Sequence, residues 1–224
     1  MSISNAPFVL LTILTLAFAR GGSAQTKLTD AEVLAAIQAG EGKKYDGFVS
    51  TCTATAGFGE GFAANVAGGL QQNGSYTVVV SGNTGRIASL AANAKRLYKK
   101  FAPQDVTDEL RSPAVFVAVE PNNPPRDPKV VSVPAPIQQI VLKSKTNPNT
   151  VAQPTKIDTE PVEFSNLVGG KFASNRAIAT FDLASFLELP SGDVDVVIVT
   201  EPGERRCKIG TKDRARLFPL ATTK

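Results

Sequence analysis

After Pro113 the chain is cut into short β-branched runs by Pro, Asn and Gly, and this texture limits the fold more than any other feature of the sequence. The runs cover residues 114–119, 129–133, 137–143, 161–164, 176–181, 193–200 and 204–209. Runs of that length with turn residues between them predict an antiparallel β-sandwich of about seven strands over 113–224. Pro134 and Pro136 cannot donate to a ladder, so their stretch is expected at an edge or a bulge. The Thr-, Pro- and Asn-rich residues 147–161 are expected to form a loop.

The last two runs predict a hairpin. Glu201-Pro202-Gly203-Glu204 has Pro and Gly where a type II turn takes them. Folding about it sets Thr200 opposite Arg205, Ile198 opposite Cys207 and Val196 opposite Ile209. Cys207 then shares the core face with Val196, Ile198 and Ile209. Val197, Val199, Arg206 and Lys208 take the other face, and Asp193 meets Lys212 near the open end.

The N-terminal half is expected to be helix-rich. Thr29-Asp30-Ala31-Glu32 has the form of a capping box ahead of the apolar Val33, Leu34 and Ile37, and Gly40 ends that helix. Tyr45, Phe48, Val49 and Cys52 fall at helical spacing and predict a second helix that turns Cys52 toward the core. Residues 57–74 read as a glycine-rich loop, 76–80 as a strand, 86–101 as the most secure helix and 104–110 as a shorter one. The expected fold class is therefore α+β. A helix-rich region over 25–110, containing one strand, packs on the C-terminal sandwich, or the two form one continuous domain over 25–224. In size the sandwich is similar to an immunoglobulin-like domain.

Residues 8–19, FVLLTILTLAFA, form an apolar run too short to cross a bilayer as a helix, and Gly22-Ser23-Ala24 follow. This is the pattern of a signal peptide over 1–24, cut before Gln25. No later segment is long and apolar enough to hold the product in a membrane, so the expected location is secreted or periplasmic. In an oxidising compartment Cys52 and Cys207 are expected to form a disulfide.

The chain has no His, 2 Cys and no Trp. Histidine-based triads, imidazole general bases and thiolate metal cages are thereby excluded, and no metal site is expected. Gly57, Gly59 and Gly61 match no dinucleotide fingerprint, and Ser75 stands where a P-loop needs Lys, so neither nucleotide nor cofactor is expected. Asn73-Gly74-Ser75 is a glycosylation sequon, meaningful only on a eukaryotic secretory route. Acid pairs for a hydrolase are Asp193 with Asp195, Glu160 with Glu163, and Glu201 with Glu204. All sit at strand ends or turns where acids stay solvated, and 3 Tyr without Trp offer little aromatic platform for a sugar.

The net charge is +4, and basic residues cluster. Lys95, Arg96, Lys99 and Lys100 pair at i, i+4 on the predicted helix, and Arg86 stands at a strand-loop-helix start. These are the candidate anion-binding residues, suited to an anionic envelope polymer or surface. The basic tail of Lys208, Lys212, Arg214 and Arg216 is interrupted by Asp213 and carries less weight. The expected function is an exported, non-catalytic binding or structural module of the cell envelope or extracellular space. The alternative is a carboxylate-dependent hydrolase of a polysaccharide or peptide.

Overall fold

The computed structural model of the protein describes residues 27–42, 49–56, 74–122, 134–165 and 171–217. The expected leader, the glycine-rich residues 57–73 with the sequon Asn73, and the run 129–133 lie outside the described residues.

Helix α1 (Asp30–Glu41) starts as its capping box requires: the Thr29 hydroxyl accepts from the Glu32 N–H, and the Glu32 carboxylate accepts from the Thr29 N–H at 2.8 Å. Helix α2 (Asn83–Arg96) packs beside it. Val33, Ala36 and Ile37 of α1 form a small core with Ile87 and Ala91 of α2, closed by Val106. The backbones meet at Gly40, where an added Cβ would lie 2.1 Å from the Ala88 carbonyl oxygen, so only glycine fits the crossing. A single helical turn, α3 (Asp108–Arg111), ends in Arg111, whose guanidinium reaches Asp30 at 2.7 Å and ties the start of α1 in place.

Nine strands are described: β1 (Val49–Ala56), β2 (Tyr76–Gly82), β3 (Ala114–Pro121), β4 (Ile137–Ser144), β5 (Val151–Ala152), β6 (Lys156–Ser165), β7 (Lys171–Asp182), β8 (Val194–Thr200) and β9 (Gly203–Ile209). They hydrogen-bond in the order β5-β4-β8-β9-β1-β2-β3-β7-β6 and make two antiparallel sheets, of five strands (β1, β2, β3, β7, β6) and four (β5, β4, β8, β9). The fold is thus α+β with sandwich-like sheets. β1 joins the sheets, pairing along its length with β2 and through Thr55 and Ala56 with β9.

The core lies between the sheets. Val78, Val80, Val115, Val117, Ala179 and Phe181 face it from one side, and Ile140, Leu142, Val196, Ile198 and Ile209 from the other. Helix α4 (Leu183–Glu188) closes one end with Phe186, and α5 (Thr211–Arg216) follows β9 there. At the opposite end the Asn175 amide of β7 reproduces a ladder step. Its Oδ1 accepts from the Ile137 N–H at 2.6 Å and its Nδ2 donates to the Ile137 carbonyl at 3.1 Å, linking the two sheets. Among the described residues no helix is long and apolar enough to cross a membrane.

The expected disulfide is present between Cys52 and Cys207, 155 residues apart in sequence. Cys52, however, lies on strand β1 and not on a helix. The buried Ser50 and Ala54 alternate with the exposed Thr51 and Thr53, a period of two that β-branched Thr favours. The β8–β9 hairpin pairs Thr200 with Gly203 and Val196 with Cys207, a register two residues away from the expected one. Gly203 at φ +135 ends the turn, one position earlier than a turn spanning Glu201 to Glu204 would close. An even slip leaves every side chain on its predicted face, so Cys207 still points into the core. Asp193 accordingly meets Lys208 at 3.2 Å, not Lys212.

Helix α2 ends at Arg96, five residues short of the predicted Phe101, and 104–110 holds only a 3-10 turn and part of α3. Residues 147–161, expected as a loop, contain β5 and the start of β6. β6 tolerates Pro161 because it is the sheet edge, where one strand side needs no donor.

Candidate functional site

In β2, β3, β7 and β6, residues that alternate with the core positions face outward, toward α2. Register places Thr77 opposite Glu120 and Arg176 opposite Glu160, with Val79, Ala118 and Ile178 in the next row. Arg86, Ser89, Asn93 and Arg96 recur at helical spacing along the flank of α2 above these rows. A groove of about 720 Å³ separates helix from sheet and is lined by both sets.

The charges in the groove are unequally satisfied. Arg176 stands between two carboxylates, Glu120 and Glu160, each at 3.6 Å. Arg86 is half-buried, burial pushes its guanidinium pKa down, and it has no carboxylate or hydrogen-bond partner among the described residues. Holding a partly desolvated cation without a counter-charge is unfavourable. A planar guanidinium in that state is suited to a carboxylate, sulfate or phosphate that it can grip with two parallel hydrogen bonds.

The candidate residues from the sequence divide between two places. Arg86 and Arg96 come together in the groove. Lys95 leaves it: its Nζ donates to the Glu41 carbonyl at the end of α1, at 2.6 Å. Lys99 and Lys100 lie beyond the helix and are exposed, so the i, i+4 pairing of Lys95/Lys99 and Arg96/Lys100 does not form. The start of α2 is buried at Ser81, Gly82 and Asn83, and the Asn83 amide donates to the carbonyls of Arg111 and Ser112. Arg86 therefore reaches the groove from the helix flank, not alongside open N-terminal amides.

Two arginines escaped the sequence reading. Arg176 acquires its role only through pairing with β3 and β6, which no local pattern reveals. Arg205 did carry a signal, because it shares parity with Cys207 and Ile209 on β9. It is 3% exposed at the Asn175 end of the core, where its Nη1 donates to the Glu204 carbonyl at 3.1 Å. Its charge acts on Tyr76, whose hydroxyl donates to the Ala135 carbonyl. Burial pushes the Tyr76 phenol up to about 12, with Arg205 opposing that rise. In the basic tail, Arg214 is structural. It donates to the carbonyls of Phe186, Leu189 and Pro190 at 2.8 to 3.0 Å, over the face of the Phe186 ring, and so caps α4.

Most acids of the candidate pairs face a cation. Asp195 faces Lys145 at 3.9 Å and Glu163 faces Lys171 at 3.8 Å, while Glu204 is held by Arg206. Asp193 is kept below the ordinary carboxylate range by the hydrogen bond from Lys208, aided by Thr211. Two acids that sequence spacing could not pair, Glu120 and Glu160, do share the groove. They flank Arg176 from strands two spacings apart, about 10 Å. Their side chains are 53% and 67% exposed, and both face Arg176. Comparison with protein-family models, with curated proteins and with solved structures returned no match.

Proposed function

We propose that the protein is an exported, non-catalytic binding module of the cell envelope or extracellular space, and that the groove beneath α2 takes a segment of an anionic polymer. The observation that carries this reading is Arg86, a partly desolvated guanidinium that no carboxylate contacts among the described residues, in a groove that Arg96 also lines. Val79 and Ile178 give the groove an apolar floor beside its charges, suited to the carbon skeleton of a sugar acid. The Cys52–Cys207 bond supports export, since such bonds persist where thiols are oxidised. Export in turn predicts a mature chain that begins at Gln25, which mass spectrometry of native protein reads directly.

Thermal melts with oligogalacturonate, a heparin-derived oligosaccharide and neutral dextran test the groove. Saturation at a hundredfold excess over Kd should raise the melting temperature of the wild type by about 5–10 °C with one of the anions and not with dextran. Arg86→Gln should abolish the shift. An equal shift in Arg86→Gln, or none with either anion, would overturn the assignment.

A further inference from the structure

Helix α2 ends in a Schellman motif. The Tyr98 N–H donates to the Lys95 carbonyl at 3.0 Å and the Lys99 N–H to the Ala94 carbonyl at 2.8 Å. The motif requires a left-handed residue after the cap, a place usually taken by glycine. Here it is Tyr98, at φ 55, and its side chain packs on nothing: the residue is 99% exposed. Leu97 beside it is 54% exposed. A large aromatic side chain in a glycine position, wholly in solvent, weakens the helix end and contributes no burial in return.

Four cations flank this apex along the chain, Lys95 and Arg96 before it and Lys99 and Lys100 after it. None has a carboxylate partner among the described residues; the hydrogen bonds of Lys95 to the Glu41 carbonyl and of Arg96 to Asn93 Oδ1 leave both charges in place. Elsewhere Lys27, Lys145, Lys156, Lys171 and Lys208 each face an acid. Among the described residues, therefore, no ion pair cancels the charge of the tip.

We propose that the Leu97-Tyr98 apex, flanked by Lys95, Arg96, Lys99 and Lys100, docks the protein on an anionic lipid bilayer. Tyrosine favours the boundary between headgroups and acyl chains, where its ring is dry and its hydroxyl wet. Lysine and arginine stems extend so that the charges stay among anionic headgroups. A soluble acidic polymer would engage the cations and leave the exposed apex unused, so the pairing of apolar tip with flanking cations favours the bilayer. Arg96 also lines the groove, but Lys99, Lys100 and Tyr98, on which the test below turns, do not.

Co-sedimentation with vesicles of phosphatidylcholine alone, or with about one third phosphatidylglycerol, tests it. Wild type should pellet with the anionic vesicles only, and less as salt rises. Lys99→Gln with Lys100→Gln should lower partitioning about 25-fold, roughly fivefold per charge. Tyr98→Gly should raise the melting temperature by about 2–4 °C while lowering partitioning about tenfold, so lost binding cannot be lost folding. Since the chain has no Trp, Tyr98→Trp adds a single indole whose emission should shift to the blue on anionic vesicles. Failure to pellet, an unmoved indole emission, or binding unchanged in Tyr98→Gly would overturn the proposal. So would retention on polyglutamate as strong as on vesicles and indifferent to Tyr98→Gly, which would assign the tip to a polymer.

Discussion

Opening the Cys52–Cys207 bond should cost the fold about 5 kcal/mol. The bond closes a loop of 155 residues. The chain-entropy relation then assigns the unfolded state a restriction of about 17 cal/mol/K, or roughly 5 kcal/mol at 25 °C. The bond also sits where it matters locally, because among the described residues β1 pairs with β9 only at Thr55 and Ala56 and the cross-link lies beside that short ladder. Domains are usually stable by about 5–15 kcal/mol, so the reduced protein should be marginal. Urea unfolding followed by circular dichroism, with and without dithiothreitol, measures this. The midpoint should fall by about 2 M, and the slope m should rise because the reduced chain exposes more surface when unfolded. Cys52→Ala with Cys207→Ala should match the reduced wild type. A midpoint that moves less than about 0.5 M while both thiols become alkylatable would refute the reasoning.

Gly40→Ala should destabilise by about 2–3 kcal/mol, since the new methyl meets the Ala88 carbonyl and the two helices must move apart. A neutral or higher melting temperature, normal for glycine in an exposed helix, would show that α1 and α2 do not cross there. Raising the pH should expose the burial of Tyr76, whose folded pKa lies near 12 against an ordinary 10.0. Its contribution is complete below pH 10 and is lost as pH rises through 12, because the native state keeps a proton that the unfolded chain gives up. Two units correspond to about 3 kcal/mol, and Tyr76→Phe should remove that part of the decline in urea titrations at high pH.

Much of the architecture was legible where local chemistry decides it. The α1 capping box stands as its four residues dictate. The parity of Cys207 also held, since a slip of two residues changes partners without changing faces. The pairing of the cysteines followed from compartment chemistry. Reading failed where tertiary context chose between patterns. Residues 45–52 offered four apolar positions at helical spacing, of which Tyr45 and Phe48 lie outside the described residues; from Val49 on, Thr51, Cys52, Thr53 and Ala54 also alternate, and pairing with β2 selected the strand. The apolar spacing from Ile87 to Phe101 predicted a longer helix carrying the cations at 95–100, but the helix ends at Arg96 and the backbone turns at Tyr98. Pro161 was expected where a loop gives way to the run 161–164, and it instead lies within edge strand β6, which tolerates it. Arg86 stood out in the sequence as a candidate. The groove did not, because its floor is assembled from four strands whose order, β2-β3-β7-β6, is not the chain order.

The central claim is that the Arg86 guanidinium is the anchor of an anion site. Its side-chain Nε–Hε resonance in ¹⁵N-labelled protein, assigned by its loss in Arg86→Gln, can be titrated with oligogalacturonate. That resonance should show a saturable downfield shift, accompanied by amides of Ser89 and Asn93 on the same flank of α2. Shifts that leave Arg86 unmoved, or that gather only around Lys99 and Lys100, would contradict it.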